Sequence, residues 1–231
     1  MIGKRRRHLL IFAAILLASC TPTGLVERRL ESQLPKYLGP ADAYDVDIDG
    51  LQVRSSAAER VLAVGERVRP EGAPVLDRLE LELLGVRYDR DAGRLEQVES
   101  AQATVSVTAS DLSTFLEMQR NVREASVELT PPDRATIRIR PTFGDFSAPP
   151  GVTVDAEGQF VSSGSQVLFE VSEVRAAGIG LGGGAARRVS REINPVVDLA
   201  GLPVTLQVKS VSVNSEAVSV EVTGDPTSFQ L

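Results

Sequence analysis

Leu79-Glu80-Leu81-Glu82-Leu83 alternates apolar and acidic residues with a period of two. That is the period of a strand with one face in a core and the other in water. The pattern recurs outward in both directions. Upstream, Val46 and Ile48 alternate with Asp45, Asp47 and Asp49. Downstream, Ala101, Ala103, Val105 and Val107 alternate with polar residues, and Ile137 and Ile139 with Arg138 and Arg140. Val152/Val154, Val167/Phe169/Val171, Val204/Leu206/Val208 and Val218/Val220/Val222 continue the series. Such runs predict antiparallel strands. Between Val208 and Val211 the alternation slips by one residue at Lys209-Ser210, which predicts a β-bulge of the kind that bends a sheet.

Three stretches change to a helical period. Val26, Leu30, Leu34, Tyr37 and Leu38 form one stripe, with Glu27, Arg28, Arg29 and Glu31 on the other face and Thr23 as N-cap. Pro35 predicts an end or kink near Leu34. This stripe fits a core-facing helix and also a membrane-lying one. Its mixed charges favour the core, because interfacial helices carry a basic face. Ser110 or Asp111 is expected to cap a second helix bearing Leu112, Phe115 and Leu116. A third spans about 184–199, with Val189, Ile193, Val196 and Val197 opposite Arg187, Arg188, Arg191 and Glu192, and Pro195 predicting a kink or early end.

The first twenty residues read as an address. Lys4, Arg5, Arg6 and Arg7 precede an apolar run over residues 9–17, then Ala18, Ser19 and Cys20. The run is about half the ~20 residues of a membrane-spanning helix, and a short apolar stretch behind a basic start is a secretory signal. Leu17-Ala18-Ser19-Cys20 resembles the bacterial lipobox, which implies cleavage before Cys20, diacylation of its sulfur and a strong membrane anchor. An ordinary signal peptide and an uncleaved anchor are the alternatives. The chain thus divides into a signal (1–19), a lipidated tether (20–24), one domain (25–225) and a tail (226–231). Thr21 after the lipidated Cys, where an Asp would retain the protein, resembles an outer-membrane destination in a two-membrane cell.

Composition narrows the chemistry. The chain of 231 residues holds one His (His8), one Cys (Cys20) and no Trp. With the leader removed and Cys20 acylated, no imidazole or thiol remains for Ser-His-Asp, Cys-His or Cys/His-metal chemistry. Residues 1–19 hold four of the 25 Lys and Arg and none of the 31 Asp and Glu, so the remainder carries a formal charge of −10. An acidic domain is a poor electrostatic partner for nucleic acid or an anionic lipid surface, so any lipid contact is expected to be apolar or local.

Motifs for catalysis or cofactors fail on inspection. Asp45-Val46-Asp47-Ile48-Asp49-Gly50 opens like a calcium loop, but the position that must supply a bidentate Glu is Ser56. Val46 and Ile48 make it a strand instead. Gly178-Ile179-Gly180-Leu181-Gly182-Gly183 satisfies the dinucleotide spacing, with Asp198 about 20 residues on, yet its neighbours are antiparallel strands where that site needs a βαβ unit. A connector or a close backbone approach is the expectation. Arg187 and Arg188, at the start of the following helix, are candidate contacts for a lipid phosphate, helped by free backbone N–H groups. Their alternative is an ordinary solvated face. No metal or cofactor is expected, and no pair of carboxylates stands out for hydrolysis.

A family resemblance rests on the order of soft patterns. These are Leu79-Glu80-Leu81-Glu82-Leu83-Leu84-Gly85-Val86, then Val105-Ser106-Val107-Thr108-Ala109-Ser110-Asp111-Leu112. Later come Arg188-Val189-Ser190-Arg191-Glu192-Ile193-Asn194-Pro195, Asp198-Leu199, Leu202-Pro203-Val204-Thr205-Leu206 and a closing hairpin through Val222-Thr223-Gly224. Together they resemble the LmeA-like phospholipid-binding family of the bacterial envelope over most of residues 25–225. Residues 55–75 depart from the pattern. The resemblance implies an α+β fold similar to tubular lipid-binding domains: a strongly curved antiparallel sheet wrapped around two or three amphipathic helices. It implies no catalysis and a phospholipid or other acyl-chain ligand. In a groove so built, Leu112, Phe115, Leu116, Val189, Ile193 and Val197 are the expected lining, or else plain core. The expected role is binding, with transfer in prospect, by a lipid-anchored envelope protein. The alternatives are an assembly factor that docks an envelope protein on a sheet edge, and, more weakly, a hydrolase.

Overall fold

In a computed structural model, residues 22–89, 94–119, 121–143, 146–147, 153–200 and 205–226 are described. The signal 1–19, Cys20, Val152, Val204 and the tail beyond 226 lie outside them. The described residues form two seven-stranded antiparallel sheets and three helices.

The chain enters through α1 (Pro22–Leu38) and lays down β1 (Ala43–Asp49), β2 (Ala57–Val68), β3 (Leu76–Asp89), β4 (Arg94–Gln97) and β5 (Ser100–Thr108). It crosses through α2 (Ala109–Glu117) into β6 (Val122–Thr130), β7 (Arg134–Phe143), β8 (Phe146–Ser147), β9 (Val154–Ser163), β10 (Gln166–Ala176) and β11 (Ile179–Leu181). It then turns through α3 (Gly183–Ile193) and β12 (Val197–Asp198) and returns as the hairpin β13 (Leu206–Val213) and β14 (Ala217–Gly224). The first sheet runs β1-β2-β3-β5-β14-β13, with β4 on β3; the second runs β11-β10-β9-β7-β6, with β12 on β10 and β8 on β7. The predicted β-rich antiparallel character is therefore right. The single sheet wrapped around helices is not what forms: there are two open sheets, and the helices lie along their edges.

Each sheet has one apolar and one polar face, as the period-two runs require. In the first, register places Val46, Ala63, Leu81, Ala103, Val222 and Val208 in one row across six strands. In the second, Val127, Ile137, Ala156 and Val174 align in the same way. The main core lies between the sheets: Val208, Val213, Val218, Val220 and Val222 meet Ile137, Ala156, Phe160, Phe169 and Val174, with Leu112, Leu116 and Ile193 from the helices. Phe160 and Phe169 face each other across β9 and β10 at 5.2 Å between ring centroids. The outer edge of β13 is tied to the second sheet by Val208 N–H to Gly164 O (2.8 Å) and Val213 N–H to Pro132 O (2.7 Å).

Local expectations meet mixed outcomes. The bulge at Lys209 is present, with the β13–β14 register shifting between Val208 and Ser210. Asp45-to-Asp49 is strand β1, its carboxylates outward. The glycine-rich run is a hairpin: Ala177 (φ 49°) and Gly178 (φ 78°) turn the chain so that β11 pairs antiparallel with β10. Three helix boundaries need correction. α1 starts at Pro22, so residues 22–24 are helical and not tether, and it runs through Pro35 to Leu38. Pro35 forfeits one hydrogen bond in the last turn, which the docked helix tolerates. The cap of α2 is Thr108, whose Oγ1 accepts from Asp111 N–H (3.1 Å). The third helix stops at Ile193, before Pro195, and Val197 belongs to a strand.

Candidate lipid-contacting surface

The apolar face of the first sheet is continuous in sequence pattern but not in burial. Three buried clusters punctuate it. One at the β1 side holds Val46, Ile48, Ala58 and Ala63; a small one holds Val98 and Ala101; the main core covers the β14–β13 side. Between them run Val61, Leu81, Leu83, Ala103 and Val105, all on this face by register and all only half-buried. Adjacent strands stand about 4.8 Å apart, so this strip is two strand spacings, roughly 10 Å, across. It is walled by α1 on one side, where Leu34 joins the β1 cluster, and by the second sheet on the other. The reverse face is polar. Arg60 bridges Glu82 (2.6 Å) and Asp49 (3.2 Å), and Arg78 meets Glu80 (2.7 Å).

Five of the six predicted lining residues are gathered at the main core. Leu112, Leu116 and Ile193 are buried in the main core, Val189 and Val197 pack against it, and Phe115 is half-buried on α2. Arg187 and Arg188 are exposed on α3. Arg187 lines a shallow cavity of ≈ 630 Å³ with Ser190, Arg191 and Asn194. Arg191, one helical turn beyond Arg187, was not among the phosphate candidates; the i, i+4 spacing is the signal for it. A second cavity of ≈ 390 Å³ lies on the polar face of the second sheet, walled by Thr130, Arg134, Glu157, Gln159 and Glu170 among others. Its walls suit water more than an acyl chain.

An ion pair joins β2 to α2. Asp111, 8% exposed, receives both guanidinium nitrogens of Arg67 (2.6 and 2.8 Å) and the Thr108 hydroxyl (2.6 Å). Hydrogen bonds from Arg67 hold its carboxyl below the usual range against the opposing effect of burial. Arg67 has a left-handed φ of 52°, which breaks the alternation of β2, so Val68 is fully buried two residues after exposed Glu66. The pair is a structural clamp of α2 onto the first sheet. Among the described residues, no group of three or more His, Cys, Asp or Glu is placed to hold a metal ion. No helix among them is long and apolar enough to cross a membrane.

The strip Val61, Leu81, Leu83, Ala103 and Val105 is thus a partly exposed apolar surface on an otherwise acidic domain. The model for LmeA-like phospholipid-binding proteins matches residues 23–223. The chain belongs to that family. No curated protein and no solved structure matches it. The LmeA-like description is one of binding and not of catalysis.

Proposed function

We propose that this LmeA-like protein is a lipid-anchored protein of the cell envelope that holds phospholipid on the strip Val61, Leu81, Leu83, Ala103 and Val105, and passes it on. The observation that carries the reading is the half-burial of that strip. These side chains pack against the buried clusters at their borders and stay partly exposed among the described residues, and acyl chains, which need only apolar contact, can cover what remains. Leu112, Leu116, Val189, Ile193 and Val197, first expected to line a groove, serve in this reading as the packed core behind it. Arg187 and Arg188, now joined by Arg191, are the proposed contacts for a phosphate group. Acylation of Cys20 and export through the N-terminal signal place the domain at the membrane that supplies its ligand. The edge-docking alternative loses ground, because edge amides at Val46, Ile48, Ala125, Val127, Val208 and Val213 are already bonded within the chain.

The test is native mass spectrometry of the protein released from membranes and exchanged into a volatile buffer, followed by incubation with phosphatidylglycerol vesicles. A discrete adduct of phospholipid mass, reduced at least tenfold in Leu81→Gln/Leu83→Gln, is the expected result. An adduct-free spectrum before and after incubation would sink the lipid-binding reading.

A further inference from the structure

α1 departs from its expected orientation in a way that has a consequence. Its sheet-facing side carries Glu27, Glu31 and Leu34, not the whole apolar stripe. Glu31 Oε1 accepts from Val46 N–H (3.3 Å) and Glu27 Oε1 from Ile48 N–H (3.2 Å), so both acids are spent on the free edge of β1. That leaves Leu25 (59%), Val26 (38%), Leu30 (36%) and Tyr37 (65%) exposed. Val26, Leu30 and Tyr37 share one stripe by helical spacing, the exposed charges flanking it are Arg29 and Lys36, and every exposed charge on the helix is basic. The mixture of charges that argued against a membrane-lying helix is thus sorted by docking. The acids turn inward, and what faces out is apolar and cationic, the composition of an interfacial helix.

We infer that α1 lies on a lipid bilayer with Val26, Leu30 and Tyr37 in the acyl boundary and Arg29 and Lys36 at the phosphates. Two observations select a bilayer as the occupant. The helix begins at Pro22, one residue after Thr21, so the acyl chains proposed on Cys20 enter the membrane within a few ångströms of the first turn. Its outward charge is positive on a domain of net −10, which matches anionic headgroups locally and nowhere else requires them. Long basic side chains beside a shallow apolar stripe extend to the phosphates while their stems remain in the apolar layer. The helix also borders β1, so seating it brings the half-open strip of the first sheet close to the lipid source. The inference takes from the anchored reading only the position of Cys20.

The protein has no Trp, so a single introduced indole reports alone. Leu30→Trp, Tyr37→Trp and Val26→Trp are made in the full acylated chain, with Ser32→Trp on the far side of α1 and Ser219→Trp on the polar sheet face as references. Each is reconstituted in vesicles of equal parts phosphatidylcholine and phosphatidylglycerol, with and without mid-chain brominated lipid. Blue-shifted emission and strong quenching at 26, 30 and 37, with little at 32 and none at 219, are expected. Equal, unquenched emission at all five positions overturns the inference, as does a blue shift at 26, 30 and 37 that bromine does not quench, since that reports a protein contact. The mass of the same preparations reads acylation of Cys20 separately. An acylated protein with unquenched α1 probes removes the interfacial helix and keeps the anchor. Quenched probes on an unacylated chain do the reverse.

Discussion

Asp111 joins three kinds of stabilisation at one carboxylate: a helix cap, a charged pair and a link from α2 to the first sheet. Thr108 and Asp111 form a reciprocal cap at the start of α2, and Arg67 binds the same carboxylate in two-pronged fashion. Asp111→Asn keeps the shape and removes the charge, and should lower unfolding free energy by about 2–3 kcal/mol in urea titrations. The pH dependence follows in sign. A carboxyl held below its usual value stabilises the fold above that value and loses its contribution as pH falls through the folded one. Wild-type stability should therefore decline below about pH 4, and Asp111→Asn should decline less steeply over the same window. Gly158 is constrained differently. A Cβ there would stand 2.2 Å from the Glu170 carbonyl oxygen across β9 and β10, where the register shifts between Val171 and Glu173. Gly158→Ala should destabilise by about 1–3 kcal/mol, read as a lower melting temperature. The sequence placed a helix start here but named Ser110 or Asp111 as its cap in place of Thr108, and the Arg67 partner, 44 residues away, left no local signal.

The first two helices share one device, and a residue just past the third serves the same end. α1 and α2 each lie along a sheet edge and offer polar side chains, spaced i and i+4, to unpaired backbone. Glu27 and Glu31 take the amides of Ile48 and Val46 on β1; Ser113 and Glu117 take those of Val127 (2.9 Å) and Ala125 (3.1 Å) on β6. Four helical residues advance about 6 Å and two strand residues about 6.6 Å, so the two spacings nearly coincide. On β10, Asn194 accepts from Phe169 N–H (2.7 Å) and donates to Phe169 O (2.9 Å), with Ser190 supporting its amide (3.0 Å). Edges so covered are not free to pair with other chains. Glu27→Ala/Glu31→Ala should speed hydrogen exchange at Val46 and Ile48 by at least tenfold while leaving the β5–β14 amides protected. Asn194→Asp should destabilise more than Asn194→Ala, because it sets a carboxylate against the Phe169 carbonyl in place of a donor. Amphipathic period alone points apolar residues at the core, so the acids of α1 were placed outward by sequence reasoning. A free strand edge has its own demand for acceptors, and at α1 that demand wins.

At the scale of the molecule, the two amphipathic sheets bury most of their apolar faces against each other and against α2 and α3, leaving the centre of the first sheet half-covered. If that strip is the lipid surface, polar substitution there should separate binding from stability. Leu81→Gln/Leu83→Gln should weaken lipid capture at least tenfold with a loss of only about 1–2 kcal/mol in urea titration, since both side chains already meet water in part. Leu112→Ala, in the packed core, should do the opposite, costing about 2–5 kcal/mol with lipid affinity kept in the folded fraction. The sequence by itself determined the antiparallel β-rich class, most strands, the bulge at Lys209 and the family, because period-two alternation is a local property of pleated backbone. It missed β2, whose Ala57-Ala58-Glu59-Arg60-Val61-Leu62 opening is rich in helix formers, because pairing on both sides overrides propensity. Only the tertiary structure decided that there are two sheets and not one, which apolar residues stay half-open, and which way the charges of α1 turn. Those outcomes depend on which long-range surfaces compete for the same face, and alternation along the chain carries no record of that competition.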